Sequence, residues 1–128
     1  MVKILYLILG GATGTLLRYW VSGLPHKIYD GVFPWGTLIV NLAGSFLIGF
    51  SYGFLGRENI STNVKLFLFI GIFGSFTTFS TFAFESLNLI RDGNIKFALI
   101  NMLASNILGV FLVYVGFVVS KLLLNFKF

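Results

Sequence analysis

The stretch Gly74-Ser75-Phe76-Thr77-Thr78-Phe79-Ser80-Thr81-Phe82 decides how the rest of the chain is read. It lies inside a run, Leu66 to Phe84, that carries no charged residue and has about the length a bilayer-crossing helix needs. Five of the seven residues from Ser75 to Thr81 nevertheless carry hydroxyls. Ser and Thr offer the backbone local hydrogen bonds that compete with the helical ladder, and Gly74 adds conformational freedom. Non-helical backbone at membrane depth is tolerated only where protein packs it or where it lines a polar cavity. The stretch therefore predicts a membrane helix that breaks at mid-depth, with its broken ends and side chains turned to handling an ion.

Working outward, three more segments have the same apolar character. Ile4 to Leu24 carries only Arg18, near its end, while Gly31 to Gly56 and Phe97 to Ser120 are uncharged. Each approaches or exceeds the ~20 residues that cross ~30 Å of hydrocarbon. The expectation is an all-α membrane protein, one transmembrane domain over residues 1–128, with helices at roughly 3–24, 32–56, 64–91 and 95–123. Short polar loops separate them, among them Pro25-His26-Lys27, Arg57-Glu58-Asn59 and Arg91-Asp92-Gly93-Asn94. The N-terminal apolar segment has no small-residue cleavage site and reads as a span rather than a signal peptide.

Composition narrows the function classes. With 57% hydrophobic and 10% charged residues, an ordinary soluble domain is excluded. The net charge of +5 comes from scattered Lys and Arg with no basic cluster, which argues against a nucleic-acid partner. The absence of cysteine removes disulfides and thiol chemistry. No nucleophile–base pair, carboxylate pair or metal-ligand cluster is visible, so the chain does not read as an enzyme and calls for no organic cofactor.

Glycines are spaced for close helix contact: Gly10 and Gly14, Gly49 and Gly53, Gly71 and Gly74, Gly109 and Gly116. In lipid, small residues let backbones approach where hydrophobic burial gives little drive. The charge pattern is nearly balanced. Lys3, Arg57, Lys65, Lys121 and Lys127 fall on one side of a four-helix topology, and Arg18, Lys27, Arg91 and Lys96 on the other. Orientation follows the cytoplasmic excess of Lys and Arg, so five against four leaves two readings open: a single orientation set by one loop, or both orientations in an antiparallel homodimer.

Several polar groups sit at membrane depth. Asn41 lies in the second segment with Ser45 one turn on, and Asn101 and Ser105 share a face of the fourth. Each could glue helices by hydrogen bonding or face a pathway. Glu85 is the only carboxylate within a predicted span. Arg18 could snorkel or draw anions into a vestibule. Phe79 and Phe82 stand three apart beside the expected break, and the positive edge of an aromatic ring can face an anion.

These residues carry a family resemblance along the whole chain. The blocks Gly10-Gly11-Ala12-Thr13-Gly14-Thr15-Leu16-Leu17-Arg18-Tyr19, then Pro34-Trp35-Gly36-Thr37-Leu38-Ile39-Val40-Asn41-Leu42-Ala43-Gly44, then Gly71 to Phe82, are similar to the Fluc (CrcB) family of fluoride channels. Thr15 departs from the small apolar residue usual there. The resemblance implies a dual-topology antiparallel homodimer in the prokaryotic inner (plasma) membrane, with two separate fluoride pathways and a central structural sodium ion. It implies pathway roles for Asn41, Phe79, Ser80, Thr81, Phe82, Asn101 and Ser105, a vestibule role for Arg18 and a pore-adjacent place for Glu85. Gly74 and Thr77 resemble the residues whose carbonyls hold the sodium. The implied activity is passive fluoride export that reduces toxicity, with fluoride, lipid and a second copy as partners. A small multidrug-type dual-topology transporter is the alternative, but that activity needs a carboxylate in the first helix, and Ile4 to Leu24 contains no Asp or Glu.

Overall fold

The structure is a computed structural model, and it describes residues 1–56 and 60–125. Arg57 and Lys127, two of the charges counted above, lie outside the described residues. Among the described residues, four helical spans are long and apolar enough to cross a membrane. The first contains α1, Val2–Gly23, which runs into a short 3₁₀ turn at Pro25–Lys27. The second is α2, Trp35–Leu55. The third divides into α3, residues 62–76, and α4, Phe79–Arg91. The fourth is α5, Ile95–Asn125. Lipid offers backbone groups no partners, so the spans close their backbone hydrogen bonds within the protein.

The ends of the elements follow local chemistry. Helix α2 starts at Trp35, later than the expected 32, because Pro34 takes a non-helical backbone conformation at the N-cap. Helix α4 ends where Gly93 adopts φ +79°, letting Asn94 N–H reach the Leu89 carbonyl at 2.8 Å and Gly93 N–H the Ile90 carbonyl at 3.1 Å. The break anticipated in the third span is present, at Thr77 and Thr78, whose ψ angles of 159° and 119° are extended. Two segments are wound as π-helix: Lys65–Phe73, just before the break, and Ala104–Leu108 within α5.

Glycines set how closely the helices meet. A Cβ on Gly10 would strike the Phe67 carbonyl, and one on Gly14 the Ile72 carbonyl, so α1 lies directly on the π-wound part of α3. A Cβ on Gly49 would strike the Val113 carbonyl, and one on Gly116 the Phe46 carbonyl, which joins α2 and α5 along their length. Gly44 admits the Thr77 side chain, so the broken backbone rests against α2. Buried hydrophobic side chains are few, with Val40, Phe73, Phe76, Phe82 and Leu89 among them, while many large apolar residues face outward as a lipid-facing surface requires.

Candidate functional site

The break is held by side chains standing in for the helical ladder. The Asn41 carboxamide from α2 pairs with the Thr78 peptide on both sides: Thr78 N–H donates to Oδ1 at 2.8 Å, and Nδ2 donates to the Thr78 carbonyl at 3.0 Å. That pairing fixes which amide atom is which, because an N–H needs the oxygen and a carbonyl needs the nitrogen. One N–H of Asn41 is left over. Thr78 also caps α4, accepting Thr81 N–H at 3.3 Å while its hydroxyl donates to Thr81 Oγ1 at 2.9 Å. On the other side of the break Ser75 and Thr77 bond back to the Gly71 and Phe73 carbonyls at 2.6 and 2.8 Å. Of the five hydroxyls in the stretch, these two are therefore committed to their own helix.

This arrangement has a consequence for two carbonyls. In a continuing α-helix Thr78 N–H would close on Gly74 and Thr81 N–H on Thr77. Here both N–H groups go to side-chain oxygens instead. The Gly74 and Thr77 carbonyls, beside the end of α3, are deprived of those partners. Oxygen donors at the carbonyl end of a half-helix suit a hard cation in charge and dipole sign.

Two cavities border the break, and a third adjoins one of them. One, of about 370 Å³, has Asn41, Ser45, Gly74, Thr77, Thr78, Phe79, Phe82, Ser105 and Asn106 in its wall and no charged side chain. A second, of about 310 Å³, contains Thr15, Arg18, Tyr19, Ser22, Thr37, Thr78 and Thr81. Thr78 borders both. The third, of about 530 Å³, shares Tyr19, Ser22, Thr37 and Thr81 with the second and adds His26, Glu85, Asn88 and Asp92. The cavity at the middle of the third span is thus uncharged, the second holds Arg18 among hydroxyls, and the third, which shares residues with the second, is a mixed-charge mouth.

The residues singled out in the sequence fall into three groups relative to these cavities. Asn41, Phe79, Phe82, Ser105, Gly74 and Thr77 gather around the uncharged chamber. The Phe79 and Phe82 ring centroids are 5.6 Å apart and tilted by 51°; Phe82 is buried at 7% exposure, whereas Phe79 is 76% exposed. Thr81 and Arg18 lie in the adjoining cavity, and Glu85 at the mouth, where its Oε1 accepts the Thr37 hydroxyl at 2.8 Å and its Oε2 is buried without a hydrogen-bond partner. Ser80 and Asn101 border none of the three cavities. Asn101 is fully buried and donates to Ser86 Oγ at 3.1 Å, which in turn donates to the Phe82 carbonyl at 2.8 Å. Asn101 thereby braces the helix that carries Phe82.

Two wall residues were not anticipated. Thr37 is buried against Glu85, 48 positions away in the chain, a distance no local pattern reports. Asn106 follows Ser105 and is exposed on the chamber side, its Nδ2 donating to the Met102 carbonyl at 2.7 Å. It sits within the π turn Ala104–Leu108.

Four spanning helices, one of them broken beside a polar chamber, define a multi-pass membrane protein. Residues 5–117 match the family described as CrcB-like protein, Camphor Resistance (CrcB), and the chain belongs to that family. It is 48% identical over 121 residues to the Fluoride-specific ion channel FluC of Parabacteroides distasonis, covering 94% of each chain. It is 44% identical over 116 residues to the protein of that name from Salinibacter ruber, covering 91% of this chain and 87% of that one. Against the Magnetococcus marinus protein of the same name the identity is 43% over 122 residues, covering 94% and 99%. These relatives are named as ion channels and not as enzymes.

Proposed function

We propose that this chain is a fluoride-selective channel that lets fluoride leave the cell passively across the prokaryotic inner membrane and so lowers its toxicity. The observation that carries the reading is the mid-span chamber, walled by carboxamides, hydroxyls and aromatic rings and free of charged side chains. Fluoride is small and tightly hydrated, so a pathway must replace its water with good donors, as other filters do. The spare N–H of Asn41, the hydroxyls of Ser105 and Thr81, and the edges of Phe79 and Phe82 are donors or positive edges of that kind. A full positive charge in the narrow part would hold the ion too tightly to release it. Arg18 stands one cavity away, where it attracts anions without trapping them. Ser80, beside Phe79, and Asn101, which braces Phe82, complete the pathway set.

The functional unit in this reading is an antiparallel dual-topology homodimer with two pathways. The nearly even charge distribution supports it, as does Phe79, whose large exposed ring beside an open polar chamber calls for a covering surface. The Gly74 and Thr77 carbonyls would hold a structural sodium ion at the centre, where the ion would join the two copies. Hydrogen fluoride crosses the bilayer as a neutral weak acid and dissociates inside; the trapped anion then leaves through the pathway. Fluoride efflux from protein-loaded liposomes, set beside chloride efflux, tests the reading. Fast fluoride and negligible chloride efflux are expected; equal rates would remove the selectivity claim.

A further inference from the structure

We infer that the side chains of Asn41 and Thr78 are the positioning residues that create the cation site, each by taking an N–H that would otherwise close a helical turn on one of the two ligand carbonyls. The inference rests on the sodium reading above and assigns it a cause. Broken helices need a reason to stay broken, since an unpaired peptide group in a membrane costs several kcal/mol and rewinding the turn would recover it. In this chain the reason is visible at two points one turn apart. Asn41 Oδ1 accepts Thr78 N–H at 2.8 Å, and the same carboxamide satisfies the Thr78 carbonyl at 3.0 Å. The Thr78 peptide is thus fully paired without the helix, and the Gly74 carbonyl loses its ladder donor. Thr78 Oγ1 accepts Thr81 N–H at 3.3 Å, and the Thr77 carbonyl loses its own.

The two devices act on the two carbonyls separately. Asn41 reaches the break from α2, so the Gly74 carbonyl is freed only when α2 and the third span are docked. Thr78 acts within the span itself. Gly74 and Thr77 both border the chamber, where Gly44 on α2 leaves room for the Thr77 methyl and keeps the broken backbone close enough for the Asn41 carboxamide to reach. In this arrangement the spare Asn41 N–H is held in a fixed direction by the two bonds its amide already makes. The anion donor and the cation site then share one support.

The test is the sodium response of the purified protein with fluoride absent. Dimer dissociation and thermal unfolding would be followed in sodium chloride, with N-methylglucamine chloride keeping ionic strength constant. Wild type should be stabilised by sodium with a defined midpoint. Asn41→Leu and Thr78→Val should each raise that midpoint about tenfold or more, the usual effect of losing a group that supports metal ligands. Thr78→Ser keeps the accepting hydroxyl and should respond like wild type. Should Asn41→Leu fail to fold, the Thr78→Val and Thr78→Ser pair decides the matter. A wild-type midpoint in Asn41→Leu or Thr78→Val overturns the inference while leaving the sodium reading intact. A wild-type protein indifferent to sodium overturns both, and the control makes the two failures distinct.

Discussion

The seam between α2 and α5 and the break between α3 and α4 meet the same solvent with opposite solutions. Along the seam the backbone stays helical, and glycine removes side-chain bulk so that the helices lie close: Gly49 against the Val113 carbonyl, Gly116 against the Phe46 carbonyl, Gly53 against the Ser120 hydroxyl. At the break the ladder is given up for two residues, and side chains from α2 and from the break itself replace it. The seam contributes rigidity and no chemistry. The break contributes carbonyls without their helical partners and two aromatic rings, Asn41 of α2 adds a spare amide N–H, and the arrangement depends on the seam to hold α2 in place. In the proposed channel, function would concentrate where the ladder fails, and stability where it does not.

Substitutions sharpen that contrast, and the largest effect belongs to the seam. Gly116→Leu would push a side chain into the Phe46 carbonyl and Phe50 N, and neither backbone group can move aside. The cost should lie at or above the top of the ~1–3 kcal/mol range for overpacking. Loss of monodisperse protein in detergent, or a much lower unfolding temperature, is the expected result.

Next comes Asn41→Asp. A carboxylate removes both N–H donors of the amide and places a negative charge beside an anion path. A like charge near 4 Å costs about 4 kcal/mol at an effective dielectric constant of ~20, so fluoride efflux should fall roughly hundredfold or more. Efflux at or above the wild-type rate would remove Asn41 from the pathway. Phe82→Ile and Phe79→Ile follow, each expected to cut efflux about tenfold, since a ring-edge contact is worth ~0.5–1.5 kcal/mol. The chain should stay folded in both, and unchanged efflux would show that the rings only pack.

How much of this was legible beforehand divides along the same line. The hydroxyl run interrupting an uncharged segment marked the stretch in which the break falls, because composition and local competition for hydrogen bonds act at short range. Asn41 stood out as an amide in an apolar run, yet its partner Thr78 is 37 positions away and only the docked fold reveals the pairing. Asn101 and Ser105 read as one face from α-helical spacing, but the structure separates them: Asn101 braces Ser86 while Ser105 borders the chamber. Asn106 escaped notice for the same reason. It lies in the π turn Ala104–Leu108, which leaves no mark in the sequence, and its place in the chamber wall shows only in the fold. Thr15 was visible only as a departure from the family pattern; the structure places it in the Arg18 cavity.

Asn106→Leu tests whether that π turn serves the chamber. Leucine keeps the volume and removes the amide, so folding should be unaffected and fluoride efflux reduced about threefold, within the ~0.5–1.5 kcal/mol net worth of one hydrogen bond. Equal efflux would make the amide a lipid-facing residue satisfied by Met102 alone.

The smallest expected effect is at Gly11, and it bears on the comparison from the other side. Gly10 and Gly11 are neighbours on α1, but a Cβ on Gly10 would meet the Phe67 carbonyl, whereas one on Gly11 meets nothing within 4 Å. If close packing, and not helix flexibility, is why glycines occur in these spans, Gly10→Ala should destabilise the protein while Gly11→Ala stays within ~0.5 kcal/mol of wild type in thermal unfolding. Flexibility would predict similar losses at both. A loss confined to the assembled protein in Gly11→Ala, absent from the dissociated chain, would place that open face of α1 against the second copy, and the seam's way of building contacts would then extend between chains as well as within one.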